Sequence, residues 1–195
     1  MRYETCCFTG HRDLPEGARP FLRRRLEAAL ERLVAEGVRY FGAGGALGFD
    51  TLAEECVLRL RERHPHIRLI LVLPCPEQTR GWPPQDVNIY HHILSQADKV
   101  VYTADHYFRG CMQQRNRHLV DHSGHCVCYL TRPTGGTAYT VRYAQQKGLA
   151  VCNLALPADA AASAATSATA PADSLPAAPA APPAQPAPPP FGRTG

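Results

Sequence analysis

No stretch of this sequence stays apolar for the roughly 18 residues a membrane-spanning helix requires. The opening MRYETCCFTG also has none of the apolar core that leads a secreted chain. Both absences lead us to expect a cytoplasmic protein without a membrane partner. Long Lys/Arg blocks are missing too. The net charge is only +4 over 195 residues, and the densest cluster, Arg23-Arg24-Arg25, falls in a helical pattern that reads as a solvated face. This argues against a nucleic-acid partner. The eight cysteines include no C-x-x-C pair. Cys6, Cys7, Cys126, Cys128 and Cys152 sit in apolar runs where free cysteine acts as a small hydrophobe, and adjacent Cys6 and Cys7 would point to opposite faces of a strand. We therefore expect structural thiols, with neither a disulfide scaffold nor a metal site. No internal repeat, Walker A ending or regularly spaced G-x-G-x-x-G follows the first apolar run.

What is present alternates. Short apolar runs (ETCCFTG, VRYFGAGG, IRLILVLPC, KVVYT, HCVCYLT, LAVCNLA) are interleaved with segments of helical period (PFLRRRLEAALERLVAEG, FDTLAEECVLRLRERHP, PPQDVNIYHHILSQAD, CMQQRNRHLVDHSG, GGTAYTVRYAQQKG). In the first of these helices Leu22, Leu26, Ala29, Leu30 and Leu33 recur on one face, and Gly37 stops it. Strand and helix in strict alternation predict βαβ units, right-handed crossovers and a mainly parallel sheet with helices on both faces. The fold class expected is α/β, a Rossmann-like three-layer sandwich over residues 1–156. From residue 157 the chain is mostly Ala and Pro, holding ten of the 18 prolines. Such a composition cannot bury a core and reads as disordered with polyproline-II character. It would be a solubilising tail or a ligand for a proline-reading domain.

Ligands of open parallel sheets bind beyond the carboxyl ends of the strands, near the point where strand order reverses. The residues expected there are Gly10, His11 and Arg12 after the first strand, and Gly44, Gly45, Gly48 and Asp50 after the second. Gln78, Arg80 and Trp82 follow the third strand, and Gly135, Gly136 and Thr137 follow the fifth. Glycines at a helix start let a phosphate approach unpaired N–H groups at the positive end of the helix dipole. Two such starts on one sheet edge suggest a phosphate-bearing ligand. At the head of the fourth helix Arg115 can grip phosphate and Asn116 can read a base or ribose hydroxyl. Arg117 and Asp121 are spaced as an i,i+4 ion pair, and His91 and His92 read as packing or surface residues.

Five motifs in this order, CFTGHR, GGALGFDTLAEE, PCPEQTRGWP, RNRHLVDHS and GGTAYTVRYA, resemble the YpsA-like branch of the SLOG superfamily. That branch is related to the LOG proteins and to the DNA-uptake protein DprA. The resemblance spans about residues 3–155. It implies a Rossmann-like domain that binds or senses a nucleotide or nucleotide derivative, without a required cofactor, the ligand being AMP-, ADP-ribose- or NAD-like. It also implies self-association. Gly10, Arg12, Gly44, Gly45, Asp50, Arg115, Asn116, Gly135, Gly136 and Thr137 become pocket residues on this basis, with Gln78 lining the cleft and Trp82 stacking on a base.

Two departures from the family bear on catalysis. LOG phosphoribohydrolases carry P-G-G-x-G-T-x-x-E, whose glutamate supports cleavage of an N-glycosidic bond. Here TGGTAYTVRY has Thr134 for the proline and no acid in the turn, and Gly124 stands where an acid is expected. An oxocarbenium-like transition state needs a nearby carboxylate. The alternative function, a nucleoside-monophosphate N-glycosidase, would have to recruit Asp50 or, less favourably, Asp121.

Overall fold

The computed structural model describes residues 2–155. The Ala/Pro-rich tail expected to be disordered lies outside them. Six strands, β1 (Thr5–Gly10), β2 (Tyr40–Ala43), β3 (Arg68–Leu73), β4 (Lys99–Tyr102), β5 (His125–Tyr129) and β6 (Ala150–Asn153), form one sheet. Their order is β4-β3-β2-β1-β5-β6, and every neighbouring pair is parallel. Between them run α1 (Ala18–Ala35), α2 (Phe49–Arg63), α3 (Pro84–Gln96), α4 (Cys111–Asp121) and α5 (Gly135–Gln146). Parallel strands cannot be joined by tight hairpins, so each connection carries a helix across one face. The chain winds outward from β1 to β4, then returns through α4 to place β5 on the other side of β1. The reversal therefore lies between β1 and β5.

The period-2 alternation of the strands sorts their side chains into two cores. Cys6, Phe8, Phe41, Leu69, Leu71 and Leu73 pack with Leu22, Leu26, Leu30 and Leu33 of α1 and Leu52, Val57 and Leu60 of α2. On the opposite face Cys7, Val72, Cys126 and Cys128 meet Leu119 and Val120 of α4 and Val141 and Ala144 of α5. Cys6 and Cys7 therefore do face opposite ways, both essentially sealed from solvent. All eight cysteines are free thiols. Burial pushes the Cys6 thiol well above its ordinary range and that of Cys56 up to about 12.

Each expected strand and helix is present, and the differences are local. β2 stops at Ala43 instead of running on through the glycines. From Gly44 onward the backbone turns away from the ladder, because its N–H groups bond to carboxylates of α2. Asp121 does not pair with Arg117. It accepts from Tyr143 Oη at 2.9 Å and faces Lys147 Nζ at 3.5 Å, so it ties α4 to α5. Gly124 explains its own departure from the family pattern: a Cβ there would stand 2.9 Å from Tyr3 Cα, leaving no room for an acid. No helix among the described residues is long and apolar enough to cross a membrane.

Candidate functional site

The loop from Gly44 to Gly48 is an interior structure. Asp50 and Glu54 lie one turn apart in the first half of α2, on the face turned toward the sheet, and are only 6% and 2% exposed. Asp50 accepts hydrogen bonds from the N–H groups of Gly44 and Ala46. Glu54 Oε1 accepts from Gly45 N–H at 2.9 Å. From α4, Arg115 enters the same space: 4% exposed, its Nη1 donates to Gly44 O and, at 3.5 Å, to Val72 O. Burial raises the Asp50 carboxyl, with Arg115 opposing the shift, and raises Glu54 well beyond the usual carboxylate range, with the Asp50 charge adding to it. Two carboxylates beside one guanidinium cannot all stay charged in a dry interior without cost, so the pair favours holding a proton on Glu54.

The glycines here answer to packing. A Cβ on Gly44 would overlap the Arg115 guanidinium, and one on Gly45, which sits at φ +64°, would stand 2.7 Å from Leu73 Cδ2. Arg115, expected to grip a ligand, is instead held within the protein. Asn116 accepts from Arg115 Nε at 2.8 Å and donates to Thr140 Oγ1 at 2.9 Å, and Thr140 Oγ1 donates in turn to Gly136 O at 2.9 Å. One chain of hydrogen bonds thus runs from the buried loop to the start of α5.

At the strand reversal the geometry is more open. Gly135 and Gly136 begin α5, are exposed, and a Cβ on either would meet nothing within 4 Å. Thr137 Oγ1 donates to Gly10 O at 2.9 Å, fastening this helix start to the end of β1. His11 Nε2 accepts from Thr131 N–H at 3.1 Å, closing the gap between the ends of β1 and β5. That bond requires an unprotonated Nε2. Burial, then the nearby Arg132 charge, lowers the His11 pKa and favours the same state.

A cleft of about 670 Å³ lies at the carboxyl edge of the sheet. It gathers four of the expected residues, Arg12, Gln78, Arg80 and Trp82, with His106, Tyr107 and others. Arg12 and Arg80 are exposed cations, while Gln78 is buried on a single 3-10 turn, Pro76–Thr79. Trp82 stands edge-on to Tyr90 with centroids 5.7 Å apart. The cleft combines two guanidinium groups with two large rings, the chemistry that holds phosphates and stacks bases. Among the described residues no group of three or more His, Cys, Asp or Glu is placed to hold a metal ion.

The sequence profile of the YspA SLOG family matches residues 6–151, which include every residue just described. The chain belongs to the YspA SLOG family. It is 30% identical over 138 residues to the SPbeta prophage-derived protein YoqJ of Bacillus subtilis, covering 64% of this chain and 81% of that one. It is 32% identical over 130 residues to a UPF0398 protein of Halalkalibacterium halodurans, covering 65% and 69%. Among solved structures, DNA processing protein A of Helicobacter pylori, described as binding single-stranded DNA, superposes with a TM-score of 0.57 at 19% identity, over 80% of this chain and 66% of that one. That likeness is one of fold.

Within this SLOG domain the predicted site residues divide into three sets. Arg12, Gln78, Arg80 and Trp82 meet in the cleft. Gly10, His11, Gly135, Gly136 and Thr137 meet at the strand reversal, with Asn116 reaching them through Thr140. Gly44, Gly45, Asp50 and Arg115 form the interior cluster between. Sequence reasoning missed Glu54, His106 and Tyr107. Glu54 was readable as the i+4 partner of Asp50 on an otherwise apolar helix face. His106 and Tyr107 sit in the irregular link after β4, which carries no periodic signal.

Proposed function

We propose that this SLOG domain binds a nucleotide or nucleotide derivative in the cleft, with phosphates between Arg12 and Arg80 and the base against Trp82 and Tyr107. The observation carrying this reading is the meeting of two exposed arginines with Trp82 and Tyr107 in one 670 Å³ cleft at the carboxyl edge of a parallel sheet. Asp50 acts as a positioning residue in this reading and not as a base. It is enclosed, and it already accepts the N–H groups of Gly44 and Ala46. The domain is then a binding or sensing module; the glycosidase alternative loses Asp50, and Glu77, which lines the cleft, is the carboxylate left to it. Isothermal titration with AMP, ADP-ribose and NAD tests the proposal. At least one should bind in the micromolar range, and Arg80→Ala should weaken it about tenfold. Silence across the panel would overturn the reading. Release of free base from AMP that vanishes in Asp50→Asn would restore the enzyme.

A second reading has its own observation. Beside Arg80 and Trp82 the link after β4 presents Tyr107 at 67% and Phe108 at 44% exposure, followed by Arg109. Rings alternating with arginines suit a single strand of nucleic acid, the ligand named for the Helicobacter pylori protein. Fluorescence anisotropy with a labelled oligonucleotide separates the two. Strand binding would weaken steeply with salt and exceed mononucleotide affinity, whereas a nucleotide pocket would not discriminate in favour of the strand.

A further inference from the structure

One wall of the cleft contains a hydrogen-bonding group left unmatched. Gln78, 6% exposed, donates from Nε2 to Gly44 O at 3.0 Å and to Gly45 O at 2.7 Å. Two carbonyl acceptors fix which end of the carboxamide faces the loop, because the flipped amide would set its oxygen against both. Oε1 is therefore held as a pure acceptor. It is enclosed, and no donor among the described residues reaches it. Protein interiors pair nearly all such groups, so an unmatched one calls for a reason. The other buried atom in this condition, Arg23 Nη1, belongs to a guanidinium already paired with Glu55 at 2.7 Å on the outer helices. Of the two, Gln78 alone lines the cleft.

We infer that Gln78 is the specificity-determining residue of the cleft, its Oε1 accepting a hydrogen bond from a donor on the bound nucleotide. This rests on the nucleotide reading above. The neighbours place that donor on or near the base. A Cβ built on Gly45 falls 3.2 Å from Tyr90 and 3.6 Å from Gln78 Nε2, and the Trp82 ring leans on the same Tyr90. A base stacked on Trp82 thus lies on the side of the cleft that holds Gln78. The donor is an exocyclic amino group or, from the sugar, the ribose 2′-hydroxyl. Access requires the wall to yield slightly. That wall is one 3-10 turn, in which Glu77 already departs from helical geometry at φ −83°, ψ 16°.

Editing the ligand tests this without touching the protein. The full chain is titrated with AMP, with purine riboside 5′-monophosphate, which lacks the amino group, and with dAMP, which lacks the 2′-hydroxyl. Loss of the matched donor should weaken binding about 10- to 100-fold, while the other deletion stays within about twofold. The amino arm and the hydroxyl arm name the source. Gln78→Met, checked for native melting behaviour, should erase the difference between AMP and the sensitive analogue. Equal binding of all three nucleotides would overturn the role of Gln78 and leave the nucleotide site standing. Failure of AMP and both analogues to bind would overturn the role of Gln78, and silence from ADP-ribose and NAD as well would overturn both.

Discussion

At the start of α2, Gly44 and Gly45 are buried and the surrounding N–H groups bond to Asp50 and Glu54. At the start of α5, Gly135 and Gly136 are exposed, with open space where a side chain would stand. The two stretches look alike in sequence: glycine pairs between a strand and a helix. A glycine signals that backbone must pass close to something, and tertiary structure decides what. For the first turn it is the guanidinium of Arg115 and the side chains of Leu73 and Tyr90. For the second, Gly135 answers to its own backbone, at φ +90°, and among the described residues nothing crowds Gly136.

The contrast can be broken most forcefully at Arg115. Arg115→Leu removes the only cation of the described interior cluster and leaves the Asp50 charge uncompensated, which should cost about 3–5 kcal/mol in urea unfolding. A loss below about 1 kcal/mol would mean that the cluster does not hold the loop. Next come the glycines themselves. Gly45→Ala forces a side chain into φ +64° against Leu73, and should cost about 1–3 kcal/mol or more. Gly136→Ala has neither obstacle and should change stability by about 1 kcal/mol or less, in the favourable direction. Similar costs at both positions would abolish the distinction between the turns.

A smaller effect sharpens it through pH. The unfolded chain releases the Glu54 proton near 4.5, whereas burial keeps it bound in the folded chain. Stability linked to Glu54 is therefore full below about 4.5 and falls as pH rises toward the folded pKa. Glu54→Gln keeps the acceptor for Gly45 and removes that slope, so the variant should gain on wild type with rising pH in thermal melts. The smallest effect belongs to the open side. His11 titrates below 6.5 when folded, so wild type should lose stability as pH falls from 6.5 through the folded pKa and protonation breaks the bond from Thr131. His11→Asn should flatten that acid-side slope.

Much of this architecture was legible in the chain. Period-2 runs in Cys6–Phe8 and Leu69–Leu73, alternating with the Leu22-Leu26-Leu30 stripe, sufficed for a parallel α/β sheet, since those spacings encode which face is buried. Strand order was not legible, because the sequence of βαβ units does not say on which side of β1 the chain returns. The candidate site was legible as a list and not as a shape. Arg12 lies far along the chain from Gln78 and Trp82, yet all three share a cleft. Arg115 shows the limit: expected at a helix start, it lies inside α4, and an arginine there reads the same in sequence whether it faces solvent or the core. Only the position of α4 beside Gly44 and Val72 decides it.

The cysteines make this domain a reporter of its own opening. Seven of the eight thiols are buried, and Cys152 is the half-exposed exception. Thiol reagents attack the thiolate, and at Cys6 and Cys126 both enclosure and a strongly raised pKa suppress it. Alkylation of the folded chain should therefore stop after Cys152, and every further adduct should count molecules that have opened. Mass spectrometry of the adduct ladder would then rank β1, β5 and α2 by how readily each comes apart, with no label introduced.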